Sequence, residues 1–182
     1  MSDSGIQHCS RFPELGFYGL PGHTRSPRDV LQQVRDAEQL GIGNVMISER
    51  ADYKEIASIC GAVAAVTSEI FIGTSATNAN TRHPQITASM GSTLSRLSEG
   101  RFALGLAKGG GKARWRMVDL PPNDYARTEE TVDLLRRLWR GETITGHDGL
   151  LGQFAALKLA DYVSEDIPLL YVGFGPKSLQ HA

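Results

Sequence analysis

The chain has 182 residues, 41% of them hydrophobic, with 19 basic and 20 acidic side chains that leave a net charge of −1. This is enough apolar material for a buried core, and it describes a globular, soluble chain. The charges are interspersed, which argues against nucleic acid or an anionic membrane as a partner, and no apolar run approaches the ~20 residues of a membrane span. Met1 to Arg11 contains no apolar signal core, so a cytoplasmic location is expected. Cys9 and Cys60 stand far apart in different contexts and read as two reduced thiols, Cys60 packed within a helix.

Residues 1–13 read as a flexible lead, and 14–182 as one domain. Leu15–Leu20 is the first expected strand, followed by a loop that carries His23. Ser26-Pro27-Arg28-Asp29 has the form of a helix start with Ser26 as the cap. Val30, Leu31, Val34, Ala37 and Leu40 then recur at helical spacing, and Gly41 closes the element. Val45–Ile47 is the second strand, running into Ser48-Glu49-Arg50, and Ile56, Ile59, Cys60, Val63 and Ala64 mark the next helix.

Ile70–Ile72 is a short apolar run that stops at Gly73, as a buried parallel strand does. A polar loop leads to Pro84, which opens a helix patterned by Ile86, Met90, Leu94 and Leu97 and ended by Gly100. Phe102, Leu104 and Leu106 begin the fourth strand. Tyr125–Arg140 is an amphipathic helix carrying Val132, Leu135, Leu138 and Trp139. Between Thr143 and Leu159 the alternation breaks, and its glycines and short apolar runs predict a small hairpin. Leu169–Val172 is the fifth barrel-type strand, and Gly175-Pro176-Lys177-Ser178 opens a last short helix. Alternating strands and helices with short connections predict right-handed βαβ units on a parallel sheet. In such sheets ligands bind beyond the carboxyl ends of the strands.

The polar loop after strand three, Thr77-Asn78-Ala79-Asn80-Thr81-Arg82-His83, therefore falls on the expected ligand side. Asn78 and Asn80 are candidates to hold the polar edge of a ligand. His83 and His23 are candidate acid/base groups, although a histidine directly before a helix-opening proline is more simply a cap. Gly105 to Ala113 invites a phosphate-loop reading that its spacing rejects: Leu106 stands where the first glycine belongs and Ala113 where Ser or Thr belongs. No Cys, His or Asp cluster has metal-ligand spacing.

Gly73-Thr74-Ser75-Ala76-Thr77-Asn78, Thr81-Arg82-His83-Pro84 and Arg96-Leu97-Ser98-Glu99-Gly100-Arg101-Phe102-Ala103-Leu104-Gly105-Leu106 resemble the luciferase-like monooxygenase family, and more closely its branch that uses the deazaflavin coenzyme F420. The resemblance runs from Leu15 to Ala182. It implies an α/β fold, the (β/α)8 TIM barrel, of which this length accommodates about five βα units where a full barrel takes about 250 residues. It also implies an oxidoreductase that passes hydride between F420 and a small organic substrate, with an FMN-dependent two-component monooxygenase as the alternative. A non-catalytic half-barrel is the third reading. An open sheet leaves unpaired edges and an uncovered inner face, so a homo-oligomer or a complementing half-barrel is the expected partner.

The resemblance further implies a non-proline cis peptide at Ser75–Ala76 on which the flavin or deazaflavin ring rests. It puts Glu49 beside that ring, and Arg50 where relatives often carry a catalytic His. Arginine does not shuttle protons near neutral pH, but it binds anions bidentately. The candidate catalytic residues are thus Glu49, Arg50 and His23. The cofactor contacts are Glu49, Ser75, Ala76, Asn78 and the turn residues Gly173, Gly175, Pro176 and Lys177, the turn being the expected phosphate site. Some relatives carry a catalytic acid in the loop after strand four, where this chain has Lys108 and glycines.

Overall fold

The computed structural model describes residues 11–22, 25–50, 52–109, 116, 119–160, 162 and 167–181. Its elements follow in the order β1 (Phe12–Gly19), α1 (Asp29–Leu40), β2 (Ile42–Ile47), α2 (Ile56–Val66), β3 (Phe71–Thr74), α3 (Pro84–Leu97) and β4 (Phe102–Ala107). Then come α4 (Tyr125–Trp139), the pair β5 (Ile144–Gly149) and β6 (Gly152–Leu157), β7 (Leu169–Val172) and α5 (Pro176–Gln180). Residues 1–10 of the expected lead and His23 lie outside the described residues, and Phe12 and Pro13, expected in the lead, belong to β1.

Five strands form one sheet in the order β1-β2-β3-β4-β7, every pair parallel. Neighbours in space are therefore neighbours in the βα sequence, like successive staves of a barrel. A doubly wound sheet would reverse direction at a switch point. The sheet's two faces are built differently because side chains alternate along each strand. Val45, Ile72 and Phe102 stand in one register row and are buried against the helices. The next row, Tyr18, Met46, Gly73 and Ala103, projects from the other face, where Tyr18 is 41% exposed. Gly73 leaves room there for the Met46 side chain: a Cβ would stand 2.4 Å from Met46 Sδ. Gly105 is needed more strictly, since its Cβ would meet the Thr74 carbonyl oxygen at 1.8 Å. Thr74 Oγ1 instead donates to the Gly105 carbonyl (2.9 Å) and accepts from its amide (2.6 Å), locking β3 to β4.

The hairpin β5–β6 occupies the stretch where a hairpin is expected, and it docks on α4 through Glu130. That carboxylate takes the Leu150 and Leu151 amides (2.8 and 3.1 Å) and His147 Nε2 (2.8 Å). Burial pushes its pKa up, but those hydrogen bonds outweigh burial and hold it below the ordinary carboxylate range.

Three expectations are corrected. Helix α1 begins at Asp29, with Arg28 as its cap residue, and Ser26 Oγ accepts from the Arg28 amide in the preceding turn instead of capping the helix. Leu40 is 65% exposed because it closes the helix on its outer side at the left-handed Gly41. Ile86 and Leu97 are exposed as well, since α3 buries its small side, Thr87, Ala88, Gly91 and Ser92 together with Met90 and Leu94. The reason is Trp139 of α4: it is buried, its Nε1 donates to the Ala88 carbonyl at 2.9 Å, and a Cβ on Gly91 would come within 2.7 Å of its ring.

The signature segment Arg96–Leu106 owes its sequence largely to the fold. Glu99 and Gly100 take φ of 53° and 84° to turn the chain out of α3. Arg101 then bonds Thr67 Oγ1, the Thr67 carbonyl and the Ile70 carbonyl (3.1, 2.9 and 2.8 Å), tying the start of β4 to the turn before β3. That turn lies at the amino ends of the strands, away from the ligand side.

Candidate functional site

At the carboxyl ends of the strands lies an open cavity of about 620 Å³, within the ~300–1,000 Å³ typical of small-molecule sites. Most of its residues come from the end of each sheet strand: Tyr18 near the end of β1, Glu49 and Arg50 after β2, Ser75 to Asn78 after β3, Ala107 to Gly109 at the end of β4, and Tyr171 to Phe174 from β7. The Ser75–Ala76 peptide is cis, at the position the resemblance implied. It is held from both sides. The Ser75 amide donates to the Ile47 carbonyl (2.6 Å), Tyr18 Oη donates to the Ser75 carbonyl (3.2 Å), and the Glu49 amide donates to the Ala76 carbonyl (3.4 Å).

Glu49 is engaged by its neighbours. Its side chain is 7% exposed, and Arg82, 15% exposed, forms a two-pronged ion pair with it, Nη1 donating to Oε2 at 3.1 Å and Nη2 to Oε1. Thr77 Oγ1 donates to the same Oε2 at 2.5 Å. Arg82 Nη2 also pairs with Glu55, the cap of α2, whose carboxylate accepts the Ala57 and Ser58 amides at 3.0 and 2.8 Å. Burial pushes the Glu55 carboxyl up, but the amides of Ser58 and Ala57 and the Arg82 guanidinium outweigh it and bring the pKa down to about 2. Held by Arg82 on both carboxylate oxygens and by Thr77 on Oε2, Glu49 anchors the loop after β3.

Aromatic rings build the walls. Tyr171 presents a buried hydroxyl with no hydrogen-bond partner among the described residues, and burial, then the nearness of Tyr125 and Glu129, push its pKa up. Tyr125 stacks on His181 at 4.1 Å and carries the Lys108 ammonium 5.1 Å above its ring. Phe174 is 95% exposed at the rim. A concave floor with an unusual peptide, flat aromatic walls and an unsatisfied hydroxyl fits a planar polar ring system.

Of the residues expected at the site, Glu49, Arg50, Ser75, Ala76, Asn78 and Gly173 line the cavity. Gly175, Pro176 and Lys177 do not. They form the start of α5, where Gly175 precedes the helix with φ 126° and its carbonyl accepts from Ser178 Oγ at 2.9 Å. Asn78 Oδ1 accepts the Asn80 amide (2.9 Å) and shapes the loop, while Asn80 donates to the Pro121 carbonyl. His83 caps α3, its Nδ1 accepting from the Gln85 amide at 3.2 Å. Sequence reasoning passed over Tyr18, Tyr125, Tyr171 and Lys108. Their only common signal is position, at or just past the carboxyl end of a strand or the start of a helix. Among the described residues no group of three His, Cys, Asp or Glu side chains could hold a metal, and no helix is long and apolar enough to cross a membrane.

The family model of luciferase-like monooxygenases matches residues 14–182. A 5,10-methylenetetrahydromethanopterin reductase of Methanolobus tindarius is 33% identical over 146 residues, which cover 80% of this chain and 44% of that protein. An F420-dependent glucose-6-phosphate dehydrogenase of Beutenbergia cavernae is 30% identical over 170 residues, 86% of this chain and 50% of that one. In the solved structure of the coenzyme F420 dependent tetrahydromethanopterin reductase from Methanopyrus kandleri, a TM-score of 0.79 at 24% identity covers 92% of this chain and 52% of that chain. The fold is thus that of luciferase-like TIM-barrel proteins, and the chain spans about half the length of the relatives it matches.

Proposed function

The chain belongs to the luciferase-like monooxygenase family, and from that premise we propose that it is a cytoplasmic F420-dependent oxidoreductase moving hydride to or from a small organic substrate. The observation that carries this reading is the cis peptide Ser75–Ala76 at the floor of a cavity with flat aromatic walls. Bound there, a deazaflavin supplies a carbon centre that gives or accepts hydride. The protein's own contribution is positioning and exclusion of water. Tyr18 fixes the floor through the Ser75 carbonyl. Glu49, neutralised by Arg82 and bonded to Thr77, sets the height of the loop beside the floor. Tyr125 and Tyr171 close the apolar side, and the free Tyr171 hydroxyl offers a donor to a ring oxygen or nitrogen. Gly173, Gly175, Pro176 and Lys177 are assigned to the cofactor's phosphate on the strength of family resemblance and their place beside the rim.

A non-catalytic half-barrel is the second reading, and two observations favour it. Glu49 is tied up in an ion pair with Arg82, and the inner sheet face around Tyr18 stands open. The same open face, with β1 and β7 each paired on one side only, supports association with a second copy or with a complementing half-barrel. Size-exclusion chromatography with light scattering, run with F420 or with FMN while recording absorbance, tests all of this together. The proposal expects a discrete species, larger than a monomer, that carries the deazaflavin chromophore. A flavin spectrum would move the chain to the FMN-dependent branch, and a colourless peak would favour the non-catalytic reading.

A further inference from the structure

The charges lining the cavity do not balance. Three charged side chains reach it, Glu49, Arg50 and Lys108, and Glu49 is already neutralised by Arg82. Among the described residues neither Arg50 nor Lys108 has a carboxylate within ion-pair distance: Arg50 Nη1 donates only to the Glu49 carbonyl, at 3.3 Å, and Lys108 rests over the Tyr125 ring. The two cations leave the sheet after β2 and β4, on either side of β3 and its Ser75–Ala76 floor, about 10 Å apart at the backbone for strands spaced ~4.8 Å.

Arg50 is held in place by its backbone, which forms an antiparallel bridge with Lys54: the Arg50 amide donates to the Lys54 carbonyl (3.0 Å) and the Lys54 amide to the Arg50 carbonyl (2.8 Å). Lys54 itself is 2% exposed, and its Nζ donates to the Leu20 carbonyl at 2.7 Å. Burial pushes the Lys54 ammonium down and the Arg50 charge pushes it further. A guanidinium beside a buried ammonium, with no carboxylate within ion-pair distance of Arg50 among the described residues, is an arrangement an oxyanion would relieve.

We propose that Arg50 is a substrate-binding residue: the cavity takes a small organic substrate bearing a carboxylate or phosphate group, which Arg50 grips bidentately beside the Ser75–Ala76 floor, with Lys108 adding to the positive field. This rests on the reading of the cavity as a deazaflavin site, since it is the ring on the floor that makes the Arg50 side the substrate side. The guanidinium's fixed charge suits it to hold an anion and unsuits it to move a proton. The position thus contributes recognition and orientation.

The test is calorimetric titration of the 182-residue chain with inorganic phosphate, with and without saturating F420, on the wild type, Arg50→Gln and Arg50→Lys, each checked for unchanged far-UV circular dichroism. The wild type should bind phosphate saturably, more weakly as chloride rises. Loss of a charge-assisted bidentate contact weakens binding on the order of 10- to 100-fold, so Arg50→Gln should fall by that much, with Arg50→Lys in between. Binding undiminished when F420 is present supports a substrate anion. Displacement of phosphate by F420 overturns that assignment, because Arg50 would then hold an anionic group of the cofactor. Equal phosphate binding by wild type and Arg50→Gln, or none by a folded wild type, overturns the site altogether. F420 binding is read separately by fluorescence: if it fails while phosphate binding at Arg50 persists, the oxidoreductase reading falls and the anion site stands.

Discussion

Replacing Arg82 with methionine is the perturbation that most sharply separates an anchoring Glu49 from a free one. Arg82 is 15% exposed and Glu49 7% exposed, so the substitution strands a buried carboxylate that keeps only hydroxyl partners, Thr77 at 2.5 Å and Thr81 at 3.4 Å. Removing one member of a buried ion pair costs about 3–5 kcal/mol. Glu55, 51% exposed, adds little, since solvent-exposed pairs contribute at most about 1 kcal/mol. For a domain of this size 1 kcal/mol moves the melting temperature by about 2–4 °C, so a loss near 3 kcal/mol predicts a fall of about 6–12 °C. The double variant Glu49→Gln with Arg82→Met removes the stranded charge and should recover at least half of that loss. Glu49→Gln alone should cost less, because Arg82 keeps Glu55. The assay is a double-mutant cycle on thermal unfolding followed by circular dichroism. If Arg82→Met shifts the melt by under 2 °C, or if the two changes simply add, Glu49 is not held as described and returns as an acid/base candidate.

Acid should weaken the network on the Glu55 side. Its folded pKa is about 2 against an ordinary 4.5, so its contribution is complete above pH ~4.5 and is lost as pH falls toward ~2. Glu55→Gln should therefore flatten the acid limb of a stability–pH curve while leaving its neutral region lower but level. Gly91→Ala, which adds a Cβ 2.7 Å from the buried Trp139 ring, should destabilise by about 1–3 kcal/mol despite alanine's better helix propensity, read as a lower urea midpoint. Cys60, fully buried with its thiol pushed up to about 12 by burial first and by Glu55 and Glu49 next, should resist iodoacetamide at pH 8 in the folded chain and react in guanidinium, as peptide mapping would show.

Element order was legible in the sequence because buried parallel strands and amphipathic helices differ in period, and the glycines and prolines between them mark the boundaries. Which side of α3 faces inward was not legible. Hydrophobic periodicity points to Ile86 and Leu97, but the helix turns Ala88 and Gly91 toward α4, where small residues make room for Trp139. A ring that fills a groove of small side chains leaves no apolar stripe to count. The site divides in the same way. Ser75, Ala76 and Asn78 on one short stretch and Glu49 and Arg50 on another were placed by the family resemblance, and each lines the cavity. Tyr18, Tyr125 and Tyr171 come from elements far apart in sequence, and only the assembly of the sheet and its helices brings them to one cavity. The partnership of Glu49 with Arg82, 33 residues later, is likewise a product of strand order, and it changes the chemistry assigned to the acid.

The most direct test of the central claim, that the Ser75–Ala76 cavity receives the deazaflavin ring, is quenching of F420 fluorescence by the wild type and by Ala107→Trp, which fills the cavity from the end of β4. Saturable quenching by the wild type and a loss of more than about 100-fold in Ala107→Trp, with circular dichroism unchanged, is the predicted result, since an indole would take the space of the ring. Quenching of equal strength in both proteins, or none by a folded wild type, would contradict it.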